Sequence, residues 1–214
     1  MPYEQELAAM QGWLDATDKI ALDHFRVDVP YKNKDDGTPV TEADVAIEHV
    51  LRKAIEETYP EDAVVGEEGG TGGEAKSERR WIIDPIDGTK NFRRGIPIFA
   101  TLIALEDDGR VVAGVASASG IGTRWFARKG GGAFRDSDHR GFGDFWGHVL
   151  VAQGSMDVML DPEVNLWDLA AVKIIVDEAG GKMTTVSGEN RLDGGSALTT
   201  NGALHEEVLR ALNG

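Results

Sequence analysis

The stretch Trp81-Ile82-Ile83-Asp84-Pro85-Ile86-Asp87-Gly88-Thr89 runs three apolar residues into two acids, a proline and a glycine. A short apolar run that stops on turn residues reads as a strand end, and a rigid turn there can aim Asp84 and Asp87 into one pocket. Paired carboxylates at such a point suit a hard divalent cation. Gly88 lets the backbone approach a ligand, and Thr89 adds a hydroxyl beside the acids, so a phosphate could lie against the amides that follow. The same residues are also ordinary turn formers, and Asp84 and Asp87 read alone could simply cap turns.

Acids elsewhere in the chain bear on that choice. Glu67 and Glu68 follow Val64-Val65-Gly66, a second apolar run that ends on carboxylates, and Asp168 stands in Trp167-Asp168-Leu169-Ala170-Ala171. Two carboxylates about 4 Å apart repel by roughly 4 kcal/mol at an effective dielectric of about 20, so a cluster of them needs cations or protons to neutralise it. A ligand set of oxygens alone favours magnesium or manganese over zinc.

The segments Asp84-Pro85-Ile86-Asp87-Gly88-Thr89, Gly66-Glu67-Glu68 and Trp167-Asp168-Leu169-Ala170-Ala171 together resemble the inositol monophosphatase family of magnesium-dependent, lithium-sensitive phosphatases. Residues 38–44 (TPVTEAD), 89–105 and 141–146 (GFGDFW) resemble its histidinol-phosphate phosphatase branch. The resemblance implies an α/β chain folded as a layered α-β-α-β-α sandwich. An N-terminal α+β part over 1–134 would carry most metal ligands, and a C-terminal α/β part over 135–214 would carry Asp168. Between Phe134 and Gly141 the chain has only six residues, where the family usually carries several dozen, so a shortened second subdomain is expected.

The resemblance also implies roles. Asp84 would bridge metals, with Glu67 and the Ile86 carbonyl completing one cation's shell and Asp87 and Asp168 a second; two or three magnesium ions are expected, with manganese an alternative. Asp44 would pair with Thr89 to orient and deprotonate the attacking water. Gly88, Thr89 and Lys90 would meet the phosphate, and Asp144 and Asp161 the leaving alcohol. Two of these residues have a second reading. Thr41-Glu42-Ala43-Asp44 fits a capping box, and Asp168 can serve a helix start beside Asn165. Lys34 reads as a loop lysine that could steady a metal-bearing loop.

Composition narrows the field. A net charge of −15 over 214 residues argues against nucleic acid or an anionic membrane as partner and would steer in a cationic substrate. The absence of cysteine excludes disulfides, thiolate zinc sites and a cysteine nucleophile. The five histidines lack the spacing of a helical zinc site. The N-terminus shows no leader-like pattern, so a cytoplasmic location is expected. No Gly-x-x-x-x-Gly-Lys-Ser/Thr loop is present, which removes the nucleotide hydrolases.

Leu7, Met10, Trp13, Leu14, Ala21 and Phe25 predict a first amphipathic helix, and Val45 to Tyr59 a second with Val50, Leu51 and Ile55 inward. Strands are expected at 63–65, 81–84, 98–106, 110–118 and 124–128, with a hairpin at Asp107-Asp108-Gly109. Beyond Gly141 a helix, a strand and a helix ended by Gly180-Gly181 are expected, then strands near 182–186 and 197–200 and a last helix from about 204. Gly69 to Gly73 reads as a lid or a solvated loop.

The small phosphorylated substrate these features suggest is histidinol phosphate first and inositol monophosphate second, with nucleotide 3′-phosphates and sugar bisphosphates behind. A homodimer is a further expectation from the family. A non-catalytic metal-binding or assembly protein is the competing class, opposed by the presence of both Asp44 and Thr89.

Overall fold

Leu7, Met10, Leu14, Thr17 and Ala21 recur every three or four residues and are buried along one face of α1 (Glu4–His24). The computed structural model describes residues 2–26, 28–34, 37–72, 77–137 and 145–213. A short antiparallel ribbon, β1 (Tyr31–Asn33) with β2 (Pro39–Thr41), follows and leads into α2 (Glu42–Thr58). The ribbon lies where the sequence predicts no strand before the second helix; three-residue strands carry too little periodicity to be read. Helix α2 opens at Glu42 rather than Val45, because the Thr41–Asp44 capping box satisfies its first amides. Ile47, Leu51 and Ile55 form its inward face, while Val50 is only partly buried.

The chain then builds a seven-stranded sheet in the order β4-β3-β5-β6-β7-β8-β9. Its strands are β3 (Ala63–Gly66), β4 (Gly70–Gly72), β5 (Arg79–Asp87), β6 (Ala100–Asp107), β7 (Arg110–Ala118), β8 (Thr123–Arg128) and β9 (Gly132–Ser137). The short helix α3 (Thr89–Arg93) leaves the end of β5. Asp108 and Gly109 turn the β6–β7 hairpin with φ of 51° and 68°, the left-handed pair that a two-residue turn requires. The glycine segment read as a lid or loop instead supplies β4, which pairs antiparallel with β3 at the sheet edge.

Helices α1 and α2 cover one face of this sheet. On the other lie α4 (Phe145–Ala152) and α5 (Leu166–Glu178), and beyond them the small antiparallel sheet β10 (Val158–Asp161), β12 (Ala197–Thr200), β11 (Lys182–Thr184). Helix α6 (His205–Asn213) closes the outer side, with the His205 ring bonded to Thr184 and Thr200. The result is the expected α-β-α-β-α layering. Two apolar cores fill it, one between α1, α2 and the sheet around Trp81, Phe92 and Phe99, the other between the sheet and α5 around Trp125, Phe145 and Val172. Residue 134 falls inside β9, and the second core takes in residues from both sides of that point.

Close packing of α5 depends on Gly114 in β7. A Cβ there would lie 2.9 Å from the Ala171 carbonyl oxygen, so a side chain would lift the helix off the sheet. His148, on α4, is buried with Nδ1 2.8 Å from the Thr199 hydroxyl, and burial lowers its pKa to about 4. Because the unfolded imidazole titrates at about 6.5, the unfolded chain binds the extra proton first. The resulting stability is complete above about pH 6.5 and is lost as pH falls towards 4. His148→Gln should therefore flatten the dependence of unfolding free energy on pH in that interval. Denaturant titrations at half-unit pH steps check this, and an unchanged slope would contradict it.

Candidate metal-dependent active site

Register brings the acids together. Strands β3 and β5 are parallel neighbours with Gly66 opposite Ile83, so the next residues, Glu67 and Asp84, emerge side by side at the same end of the sheet. In regular alternation Asp84 and Asp87 would face opposite sides of β5. The pairing with β6 moves from Asp84↔Leu102 to Asp87↔Ala100, three residues of one strand against two of the other, and this bulge restores both carboxylates to one side. Pro85, which has no N–H to donate, sits inside the bulge, and its carbonyl accepts the Thr101 hydroxyl at 2.8 Å. Gly88, at φ 84°, then turns the chain into α3.

From the far side, α5 presents Asp168 at its first turn. One oxygen each of Asp84, Asp87 and Asp168 lies within 4.8 Å of the others. A cavity of about 180 Å³ is walled by Glu67, Asp84, Ile86, Asp87, Gly88, Thr89, Lys90 and Asp168, with Thr38 and Pro39 added from the ribbon side. Eight of the residues singled out in the sequence therefore share one space.

The electrostatics are those of a site that wants cations. Burial, then the charges of Glu67, Asp87 and Asp168, raise the Asp84 carboxyl well above its ordinary range, and one of its oxygens is buried without a protein partner. Burial also lifts Asp168 to about 6, against the amide of Asn165, which donates to it at 2.6 Å. Asp168 thus serves the helix start and faces the cluster at once. Asp87 likewise accepts the amide of Phe145 at 2.9 Å, tying the cluster to the start of α4. All donors are hard oxygens, and a buried, unpartnered carboxylate oxygen among like charges fits a divalent cation.

Asp44 is buried at the third position of α2, where its Oδ2 accepts the Thr41 amide at 2.7 Å and the Thr41 hydroxyl at 2.5 Å. Its other oxygen is buried without a partner. Burial raises it to about 6, with the charge of Glu67 pushing the same way. Thr89 donates its hydroxyl to the Ile86 carbonyl at 2.9 Å. Asp161 ends β10 away from the cavity wall, yet its charge acts on Asp168. Asp144 lies outside the described residues.

Lys34, a loop lysine by sequence and one that could steady a metal-bearing loop, lies against the glutamate turn. Its ammonium lies 2.6 Å from Glu67 and 2.7 Å from Glu68, the cation that balances both glutamates. Burial pulls the ammonium down, but the bonds to Glu67 and Glu68 outweigh it and hold it well above its ordinary range. Burial raises Glu68 to about 7. No local signal marks Lys34, because its partners lie more than thirty residues away in the chain.

The inositol monophosphatase family model matches residues 4–142 and 146–214. A histidinol-phosphatase of Mycobacterium tuberculosis is 39% identical, with 93% of this chain and 94% of that protein covered. A histidinol-phosphatase of Streptomyces coelicolor is 37% identical, with 99% and 98% covered. The solved structure of a Thermotoga maritima IMPase superposes with a TM-score of 0.84 at 28% identity, covering 98% of this chain and 97% of that one. The first alignment runs over 246 positions, more than the 214 residues here, so that relative carries residues with no counterpart in this chain.

A neutral amide at residue 84 should relieve the clustered charge. The raised Asp84 pKa means that the metal-free fold is favoured by the protonated carboxyl and loses that stability as pH rises above its unfolded range. Metal-free Asp84→Asn should therefore melt about 3 °C or more above the metal-free parent at pH 7 and gain less from added magnesium. Calorimetry with chelator and with magnesium measures both; a variant that melts lower without metal and gains as much with it would contradict the assignment.

Proposed function

This chain belongs to the inositol monophosphatase family, and we propose that it hydrolyses L-histidinol phosphate to L-histidinol and inorganic phosphate. That it is a phosphatase acting on a small phosphorylated substrate, in a family typically dependent on magnesium, follows from the family and its phosphatase relatives. The observation that carries the site is the convergence of Asp84, Asp87 and Asp168 on one cavity with Thr89 on its wall. The substrate rests on the two histidinol-phosphatases, at 39% and 37% identity over nearly the whole chain.

In this reading Asp84, Asp87, Asp168, Glu67 and the Ile86 carbonyl hold two or three magnesium ions, or manganese in their place. Those cations, when bound, would neutralise the phosphate and make a water more acidic. The unpartnered oxygen of Asp44 takes the proton of the attacking water, and the Thr89 hydroxyl orients it. Water oxygen bonds to phosphorus as the ester oxygen leaves and takes up a proton, with no covalent phosphoenzyme. Lys90 and the backbone from Gly88 meet the phosphate oxygens. By the family resemblance Asp161 and Asp144 would meet the amine end of the alcohol, whose positive charge the net charge of −15 attracts.

The same reading includes a division into N-terminal and C-terminal parts near residue 134, a homodimer and a cytoplasmic location. Among the described residues no helix is long and apolar enough to cross a membrane.

Phosphate release from histidinol phosphate and inositol 1-phosphate, side by side with magnesium or chelator, tests the proposal. Magnesium-dependent turnover preferring histidinol phosphate is expected; preference for the inositol ester would move the chain to the other branch. Asp44→Asn should lower kcat about 10²- to 10⁴-fold while cation binding stays near normal. An unchanged rate would leave Asp44 as a helix cap only.

A further inference from the structure

Glu48 is 3% exposed and takes no part in the catalytic cluster, yet it is fully engaged. Its Oε2 accepts the backbone N–H of Glu68 at 2.8 Å, and its Oε1 accepts that of Gly69 at 2.7 Å and the Arg52 Nε at 2.8 Å. The Arg52 guanidinium reaches on to the Gly70 carbonyl at 2.5 Å. Room for this carboxylate exists because residues 66 and 69 have no side chains: a Cβ at Gly66 would stand 2.4 Å from Glu48 Oε1, and one at Gly69 2.7 Å from it.

Asp44, Glu48 and Arg52 are four residues apart and so form one ridge along α2. The ridge meets the candidate site at Asp44 and the turn behind Glu67 at Glu48 and Arg52. We propose that the Glu48–Arg52 pair is a positioning device that holds the 66–70 turn in the shape from which Glu67 reaches the cavity of the metal-binding cluster. The inference rests on the metal-site reading above. Two amide bonds to one buried carboxylate stop the turn from rotating, and charge-assisted bonds of this kind are the strong ones. A ligand fixed beforehand binds its cation without the entropy cost of ordering a free loop.

Three measurements test this on the intact chain: amide hydrogen exchange without metal, manganese binding by electron paramagnetic resonance, and the magnesium dependence of phosphate release. In Glu48→Gln the Glu68 and Gly69 amides should exchange at least about tenfold faster, and manganese Kd should rise about tenfold or more. The substrate KM at saturating magnesium should stay within a factor of about two. Arg52→Met separates positioning from simple charge, and stands in should Glu48→Gln not fold. Loss of a cation near the site would tighten manganese binding if charge alone mattered, whereas loss of the brace should weaken it. Unchanged exchange at residues 68 and 69, unchanged manganese Kd in Glu48→Gln, or tighter binding in Arg52→Met would overturn the proposal. Asp84→Asn in the same series should lose manganese affinity and keep both amides protected; normal manganese binding in that variant would instead sink the metal-site reading and leave the exchange result on Glu48 standing.

Discussion

Negative charge gathered at one end of the large sheet is the constraint to which the surrounding structure answers. Asp84 is wholly buried with Glu67, Asp87 and Asp168 close enough to raise it, an arrangement that costs several kcal/mol unless protons or cations offset it. Among the described residues the structure shows each partial remedy. Lys34 balances Glu67 and Glu68, backbone amides from Asn165 and Phe145 meet Asp168 and Asp87, and Thr41 satisfies half of Asp44. Oxygens of Asp84 and Asp44 remain without protein partners. A folded chain tolerates such groups where a ligand completes them, and this is the physical reason for reading the cluster as a cation site rather than a set of turn caps.

The scaffold converts sequence distance into proximity by three devices. Parallel pairing of β3 with β5 puts Glu67 next to Asp84, the bulge at Pro85 turns Asp87 to the same side, and the close seat of α5 on Gly114 brings Asp168 down from the other layer. Each device is rigid and apolar behind the site, with Ile83, Phe92 and Phe99 buried in the supporting core. Precision at the cluster therefore comes from packing, while the turn at 66–70, which ends on a sheet edge, depends on polar bonds from α2.

What could be read from the chain follows the range of the forces involved. The strand end at 81–87, the hairpin at Asp107-Asp108-Gly109 and the long helices carry strong local patterns, and they formed as expected to within a few residues. The acids at 67, 84 and 87 could be grouped because they follow apolar runs, whereas Asp168, which opens a helix, joined them only through the family resemblance of residues 167–171. Strands of three residues, such as β1, β2 and β4, carry no period, and β4 is built from glycines that read as a loop. Lys34 could be read as steadying a metal-bearing loop but not matched to Glu67 and Glu68, and Glu48 escaped, because partners so distant in the chain are encoded by no spacing rule. The i, i+4 repeat of Asp44, Glu48 and Arg52 was the one trace of that second arrangement.

Relatives align over more positions than this chain possesses, yet the ends of β3 and β5 and the start of α5 needed for the cluster are all present. Chemistry at this site therefore depends on cations binding where those elements meet. The most direct measurement is an anomalous difference map from crystals grown with manganese. Peaks bounded by Asp84, Asp87 and Asp168, with Glu67 on the near side, are the predicted result. An ordered cluster with no peak at manganese concentrations that support turnover would contradict it.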